Sequence, residues 1–222
     1  MVTPVRIGVL GATGPAGSGL AARLASVGYD VVIGSRSVER AEEVRQKLLE
    51  RWPDHDLSIE ASDNAGAAEA DVIVLATPWE GASPTAAAVR EQLKGKVVIS
   101  MANALTKVGN EFQPLVPPRG SVAASVQAVI PESFVAAAFH HVPAKELGDI
   151  EHPIEMDVLI CSDHPEATKA TAELVDAIPG MRALDAGELS VATPIEAFTA
   201  VLLQVNMRYK TRAAVQFTGI SR

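Results

Sequence analysis

The chain has 222 residues, 48% of them hydrophobic, which is enough for one large α/β domain or one domain with a small appendage. Its formal net charge of -8 argues against a nucleic-acid partner and against an anionic membrane surface. The single cysteine, Cys161, excludes an internal disulfide, and its apolar neighbours indicate a core position. No apolar run has the length of a membrane span or the setting of a signal peptide, so we expect a cytoplasmic protein.

Strand-like and helix-like runs alternate along the first half of the chain, which is typical of a parallel sheet with crossover helices. The expected strands are residues 6–10, 31–34, 57–61, 71–76 and 96–100. The expected helices are residues 17–27, 38–48, 65–70 and 85–93, the second of them capped by Ser37. The apolar run 71–76 fits a central strand buried on both faces, and Pro78 ends its hydrogen-bond ladder.

The second half begins with the same pattern and then changes. We expect a helix at 122–130, a strand at 135–139, a strand at 158–161, a helix at 165–178 and a short strand at 182–184. A long final helix carries apolar residues at helical spacing, which predicts packing on the sheet or on a second subunit; they are Ile195, Phe198, Leu202 and Val205. Because residues 146–155 are polar and irregular, we divide the chain into a dinucleotide-binding domain (1–145) and a smaller C-terminal domain (146–222). The predicted fold is a Rossmann-type, doubly wound, mostly parallel sheet with a small C-terminal α/β extension.

A glycine-rich turn joins the first strand to the first helix. Its glycines, Gly11, Gly14 and Gly17, have the spacing Gly-x-x-Gly-x-x-Gly and frame Thr13, Pro15 and Ala16. Glycines permit a tight turn and a close approach of backbone to a pyrophosphate, while the helix N-terminus supplies free N–H groups and a favourable dipole. A purely structural glycine turn is the alternative, but the strand before and the amphipathic helix after favour a dinucleotide site.

The end of the second strand indicates which dinucleotide binds. NAD sites usually carry Asp or Glu there, whereas this chain has Ser35 and Arg36. A hydroxyl and a guanidinium favour the 2'-phosphate of NADP, which an acid would repel. Arg40 lies one helical turn further on and can close over the same phosphate; its alternative is a surface ion pair with Glu39 or Glu43.

Three further strand ends are expected to wall a nicotinamide pocket. They are residues 77–80, 100–103 and 139–144. His140 and His141 are the candidates there for acid–base catalysis, although a hydrogen-bonded structural histidine beside a solvent-facing one is the alternative that we favour. The other histidines are scattered in polar loops, so no metal site is expected. An enzyme without an acid–base pair suits a substrate that is itself a redox cofactor, because the protein then only has to align two rings.

Five segments make the chain resemble the NADPH-dependent coenzyme F420 reductases (F420H2:NADP oxidoreductases). They are the turn 11–17, Gly34-Ser35-Arg36, Thr77-Pro78-Trp79-Glu80, His140-His141-Val142-Pro143-Ala144 and Asp185-Ala186-Gly187-Glu188-Leu189-Ser190. The resemblance covers nearly the whole chain. It implies hydride transfer between NADP(H) and the deazaflavin ring of F420 in a homodimer, with small-molecule redox cofactors as the ligands.

The resemblance also implies roles for individual residues. Thr13 to Ala16 would hold the pyrophosphate, and Ser35, Arg36 and Arg40 the 2'-phosphate. The nicotinamide would lie among Thr77, Gly81, Asn103 and Ala144, next to Pro78 and Trp79, and Val215 would touch the deazaflavin. No residue is assigned as a catalytic acid or base, and His140 and His141 stay candidates.

Basic residues near the end of the last helix suggest one more site. F420 carries an acidic tail, and Arg208, Lys210 and Arg212 form a basic cluster that is a candidate for binding it. A solvated helix end complementing the helix dipole explains the same cluster. Two rival functions stay open: an NADP-dependent reductase of another small carbonyl or imine compound, and a non-catalytic NADP(H) sensor.

Overall fold

The structure is a computed structural model that describes residues 5–220. The strands in this range are β1 (Arg6–Leu10), β2 (Asp30–Ser35), β3 (Ile59–Asp63), β4 (Val72–Leu75), β5 (Val97–Ser100), β6 (Leu105–Val108), β7 (Glu111–Pro114), β8 (Phe134–Ala137), β9 (Met156–Ser162) and β10 (Met181–Asp185). The helices are α1 (Pro15–Ser26), α2 (Val38–Arg51), α3 (Asn64–Ala67), α4 (Trp79–Ala88), α5 (Arg90–Leu93), α6 (Val122–Val129), α7 (Ala144–Leu147), α8 (Pro165–Asp176) and α9 (Ala192–Tyr209). A 3-10 turn, Leu189–Val191, precedes α9.

One sheet of eight strands crosses the molecule in the order β10-β9-β8-β5-β4-β1-β2-β3. Its neighbouring strands are parallel except for the antiparallel pair β8 and β9. The chain builds outward from β1 in one direction and from β4 in the other, so the strand order reverses between β1 and β4. Ligands of doubly wound sheets bind at such a reversal, beyond the carboxyl ends of the strands. The predicted fold class is confirmed.

The central strands are apolar because helices cover both faces of the sheet. All four residues of β4 are buried, and its side chains alternate between two clusters: Val72 and Val74 face one, Ile73 and Leu75 the other. The buried thiol of Cys161 belongs to the second cluster, and its burial raises its pKa to about 12. The expectation of a core cysteine is therefore confirmed, since such a thiol is not a nucleophile at neutral pH.

The sheet continues across the boundary predicted between residues 145 and 146, since β9 and β10 extend the edge beyond β8. The segment predicted to be irregular begins inside α7, which packs on α1. Arg23 of α1 is almost completely buried and donates to the carbonyl oxygens of Glu146 at 2.7 Å, of His152 at 2.8 Å and also of Asp149. The division into two domains stays a prediction.

Several predicted boundaries need correction. The first helix begins at Pro15, two residues early, because a helix tolerates proline in its first turn. The helix predicted at 85–93 begins instead at Trp79, and is followed by the separate α5. The hairpin of β6 and β7, which turns through Gly109 with a φ of 59°, was not expected.

The last helix differs from its prediction in the face that it buries. Ile195 and Leu202 are buried, but Phe198 is 39% exposed, because the buried face turns toward Glu196, Thr199 and Ala200. The segment Leu189–Tyr209, which joins the preceding turn to this helix, is long and apolar enough to cross a membrane (mean hydropathy 1.2), although no such run was expected. One such helix is weak evidence for a span, since core helices of soluble proteins can be as long and as apolar.

Candidate cofactor cleft

The glycine turn after β1 is packed at two of its glycines and open at the third. Gly11 has a φ of 73°, and a Cβ there would lie 2.4 Å from Cγ2 of Thr77. A Cβ at Gly17 would lie 2.8 Å from the Cβ of Ala76 and 2.9 Å from the Cα of Ala12. Gly14 is the N-cap of α1, and a Cβ there would meet no described atom within 4 Å. The turn is therefore fixed against β4 and leaves the first N–H groups of α1 open to an anion.

The two kinds of glycine predict different outcomes of substitution by alanine. Gly17→Ala should lower the free energy of unfolding by about 1–3 kcal/mol, because its Cβ meets backbone and a buried methyl group. Gly14→Ala should cost about 1 kcal/mol or less, as at other N-caps, yet weaken NADPH binding because its Cβ enters the open space. Thermal unfolding and NADPH titration of both variants check this. Equal destabilisation by the two substitutions would contradict it.

A cavity of about 750 Å³ lies beside this turn and the end of β2. It brings together predicted residues from four segments: Gly11, Thr13, Ser35, Arg36, Arg40, Thr77, Pro78 and Gly81. Both guanidinium groups are exposed, and within residues 5–220 neither makes an ion pair. Glu39, a suggested partner of Arg40, instead accepts a hydrogen bond from the hydroxyl of Ser37 at 2.5 Å. The two arginines are thus available to a phosphate.

Asn64 lines the same cavity and was not predicted. It begins α3 at the carboxyl end of β3, and its Oδ1 accepts a hydrogen bond of 3.3 Å from the N–H of Gly11. This bond helps to hold the glycine turn in its left-handed conformation. The rule that ligands bind beyond strand ends would have pointed to Asn64 had it been applied to the third strand as well.

A second cavity, of about 490 Å³, opens on the other side of Thr77 and Pro78, which line both. The three strand ends expected to wall a nicotinamide pocket meet here, through Thr77 to Trp79, Met101 to Asn103 and Phe139 to Ala144. Ala16 closes one side, and α9 adds Thr199, Leu202, Leu203 and Asn206, which were not predicted. Its wall is mostly apolar, as a site for a planar ring requires.

Thr77 stands where the two cavities meet. Its Oγ1 is buried and has no hydrogen-bond partner among the described residues. A buried hydroxyl without a partner is costly, and such groups mark places where a ligand or water completes the site. The residues at this junction therefore fit a dinucleotide that passes from one cavity to the other.

A polar network ties the ring cavity together. The amide nitrogen of Asn103 donates to the carbonyl oxygen of His140 at 2.9 Å, and the hydroxyl of Thr199 lies 3.1 Å from Oδ1 of Asn103. Phe139, just before, has a φ of 62°, which is unusual for a bulky residue. Such strain persists only where the surrounding structure enforces it, and it clusters at functional sites.

The two histidines are neutral at pH 7. Burial, followed by the charge of His141, lowers the pKa of His140 to about 3. Burial also lowers the pKa of His141, against a hydrogen bond of 2.9 Å between its Nε2 and the carbonyl oxygen of Asp157. Nε2 of His140 lies 4.0 Å from Glu196, and this contact is not an ion pair because the imidazole is uncharged.

Glu196 is a buried carboxylate that sequence reasoning missed. It accepts hydrogen bonds from the N–H groups of Val122 at 2.9 Å and Ala123 at 3.1 Å, at the N-terminus of α6. Burial raises its pKa to about 7, although both hydrogen bonds oppose the shift. The carboxylate fastens α9 to α6 one helical turn before Thr199, and so positions the wall of the ring cavity.

Several predicted site residues line neither cavity, among them Val215, Arg208 and, in the glycine turn, Gly14, Pro15 and Gly17. The carbonyl oxygen of Val215 accepts a hydrogen bond of 2.7 Å from the N–H of Asp157, and Val215 lines neither cavity. Arg208 is exposed and also lines neither, whereas Arg212 reaches the ring cavity. The side chains of Asp149, Glu151 and His152 are close enough to one another to hold a metal ion, but two of the three are exposed, and none of them lines either cavity.

The fold has a clear counterpart among solved structures. A crystal structure from Arthrobacter sp. FB24, described as an F420-dependent NADP-reductase, superposes with a TM-score of 0.82 over 98% of this chain and 100% of that one. At 24% identity this likeness concerns the fold alone. The fold and the cleft are those of a Rossmann-type dinucleotide-binding protein.

Sequence comparison identifies the family. The model of the family described as "NADP oxidoreductase coenzyme F420-dependent" matches residues 6–104. The F420-dependent NADP reductase of Methanocaldococcus jannaschii is 39% identical, over 97% of this chain and 97% of its own length. That of Methanothermobacter thermautotrophicus is 36% identical, over 99% of this chain and 97% of its own length. The chain belongs to the F420-dependent NADP reductase family, which confirms the resemblance found in its sequence.

Proposed function

We propose that this chain transfers a hydride between NADP(H) and F420, with the two rings in contact in the ring cavity. The observation that supports this most directly is the continuous cleft. Among residues 5–220, the two arginines at one end make no ion pair and the hydroxyl in the middle has no hydrogen-bond partner, and an apolar ring cavity lies beyond them. In the direction of F420 reduction, NADPH, F420 and one proton give NADP+ and reduced F420. The protein binds and aligns the reactants and excludes water from the reacting faces.

A spectrophotometric assay with NADPH and F420 tests the proposal directly, with riboflavin and FMN as control acceptors. The F420 absorbance should bleach together with that of NADPH. Stoichiometric binding of NADPH without bleaching would favour the sensor, the rival function from another class.

The runner-up enzyme, a reductase of a small carbonyl or imine compound, needs a proton donor beside the nicotinamide. Neither histidine is suited to that task, since both are neutral at pH 7 and buried. Ring-to-ring hydride transfer needs no such residue, because the proton that the reaction consumes can come from solvent, and this favours F420 as the substrate. We also propose that the enzyme is a cytoplasmic homodimer, in keeping with the apolar residues Phe198 and Val201 that α9 leaves exposed.

Thr77→Val should separate cofactor binding from folding. Removing a buried hydroxyl that has no partner should leave the free energy of unfolding unchanged or raise it by about 1 kcal/mol. The same change should raise the Kd for NADPH by about tenfold, because the cofactor loses a hydrogen bond at the junction of the cavities. Chemical denaturation and fluorescence titration measure the two effects. Loss of stability together with unchanged affinity would show that the hydroxyl serves the fold.

A further inference from the structure

Asn64 follows the last residue of β3, at the edge of the sheet where β1 and β2 also end. It lines the cavity that contains Arg36 and Arg40, and its Oδ1 accepts the N–H of Gly11. We propose that Asn64 binds the nucleotide as well as supporting the glycine turn: its amide Nδ2 donates a hydrogen bond to an oxygen of the ADP portion that NADPH and NADH share. The inference rests on the proposed function, because it concerns how the same cleft holds its nucleotide.

Close packing holds the side chain of Asn64 in place. Gly34 in β2 lies beside it, and a Cβ at Gly34 would lie 3.0 Å from Oδ1 of Asn64 and 2.8 Å from the Cβ of Ala67. The carbonyl oxygen of Gly34 also accepts the N–H of Ala12 at 3.0 Å, so the end of β2 holds the glycine turn as well. A side chain that is already held in one position loses little freedom when it binds a ligand.

The contact with Gly11 determines which way the amide group of Asn64 points. A backbone N–H requires an acceptor, so the oxygen of the amide faces Gly11, at 3.3 Å, and the nitrogen is the other arm. In the part of the chain that the structure describes, no residue accepts a hydrogen bond from this Nδ2. Because Asn64 lines the cavity, its two amide N–H groups are available to a ligand there.

Support of the turn alone does not explain why residue 64 is an amide. A carboxylate would accept the N–H of Gly11 more strongly, since charged acceptors form the stronger hydrogen bonds. It would, however, repel a phosphate, and it has no N–H group to donate at neutral pH. The neighbouring carboxylate, Asp63, does not line the cavity and accepts the N–H of Gly66 at 2.7 Å. An anionic ligand in the cavity therefore explains the amide at residue 64.

The neighbours of Asn64 indicate which part of the nucleotide it meets. Arg36 and Arg40 are available to the 2'-phosphate, and the open N–H groups at the start of α1 are available to the pyrophosphate. Asn64 contacts the glycine turn and Gly34. The nucleotide atoms between the 2'-phosphate and the pyrophosphate belong to the adenosine ribose, which NADH has too. We therefore expect Asn64 to contribute affinity for both nucleotides, whereas Arg36 selects between them.

Two substitutions of Asn64 separate binding from support of the turn. Asn64→Ala removes both arms of the amide, so it should lower the urea midpoint of unfolding and raise the Kd of NADPH, NADH and ADP-ribose by the same factor of about ten. Asn64→Asp keeps an acceptor for Gly11, so its urea midpoint should equal that of the wild type. It should nevertheless raise all three Kd values by more than Asn64→Ala does, because the donor is lost and a negative charge faces the phosphates. Calorimetric titration measures the Kd values.

Asn110→Asp is the matched control, because it makes the same chemical change in the turn between β6 and β7, where residue 110 lines neither cavity of the cleft. It should change each Kd by less than about twofold. Wild-type Kd values in Asn64→Asp, or a loss of affinity confined to NADPH, as expected of Arg36→Ala, would overturn the proposal. A wild-type protein that binds NADPH but does not reduce F420 would instead overturn the proposed function, and the Kd values would still decide the role of Asn64.

Discussion

Arg36→Ala should lower kcat/KM for NADPH by about a hundredfold and leave kcat/KM for NADH within about twofold. The guanidinium lines the first cavity without an ion pair among residues 5–220, so its charge is available to the 2'-phosphate that NADH lacks. A charge-assisted contact to phosphate contributes about 1.5–3 kcal/mol, of which 2.7 corresponds to about a hundredfold. Steady-state kinetics with F420 and each nucleotide measure the change.

Arg36→Lys is the matched control, because it keeps the charge and removes the planar fork. We expect an intermediate loss, since lysine acts on phosphate as a point charge. Arg40→Ala should show the same selectivity with a smaller effect. If Arg36→Ala impairs NADPH and NADH equally, Arg36 contributes to the fold or to the common part of the nucleotide, and Ser35-Arg36 does not select NADP.

His140 and Glu196 should give the free energy of unfolding two opposite dependences on pH. The folded-state pKa of His140, about 3, lies below its ordinary 6.5, so its contribution is complete above pH 6.5 and is lost as the pH falls toward 3. The folded-state pKa of Glu196, about 7, lies above its ordinary 4.5, so its contribution is complete below pH 4.5 and is lost as the pH rises through 7. Between pH 4.5 and 6.5 the two groups change the free energy of unfolding with pH in opposite directions, and the two changes cancel.

Substituting one of the two residues at a time should reveal the pH dependence that the other gives to the free energy of unfolding. In Glu196→Gln the free energy of unfolding should rise with pH between 4.5 and 6.5 by about 1.4 kcal/mol per unit, relative to wild type, because the slope of His140 is no longer opposed. In His140→Gln it should fall with pH by about the same amount in that window. Urea denaturation at half-unit intervals of pH provides the curves. Parallel curves for wild type and both variants would mean that neither group titrates differently in the folded chain.

The parts of the cleft that could be predicted are those that depend on residues close together in the sequence. A glycine turn after a strand, a serine and an arginine at the next strand end, and prolines that end strands are short-range signals. Because carboxyl ends of parallel strands share one edge of the sheet, residues 77–80, 100–103 and 139–144 were expected together, and one cavity unites all of them except Glu80 and Ser100.

The parts that were missed depend on packing between distant elements. Thr199 and Asn206 reach the ring cavity because α9 buries the face that contains Glu196. Hydrophobic periodicity predicts that this polar face is exposed. The left-handed backbone conformation of Phe139 could not be predicted, because no residue type or motif in the sequence indicates it. The strands β6 and β7 show little alternation of apolar and polar residues, because most of their side chains are exposed to solvent.

The buried guanidinium of Arg23 has a consequence for any shortened form of the enzyme. Its described acceptors are carbonyl oxygens of Glu146, Leu147, Asp149 and His152, all beyond residue 145. A fragment that stops at 145 would lack both these acceptors and the segment that covers Arg23, so the guanidinium would be exposed to solvent together with the face of α1 that packs on α7. We therefore expect such a fragment to be less stable than the full chain, because part of the surface that α1 buries would face water.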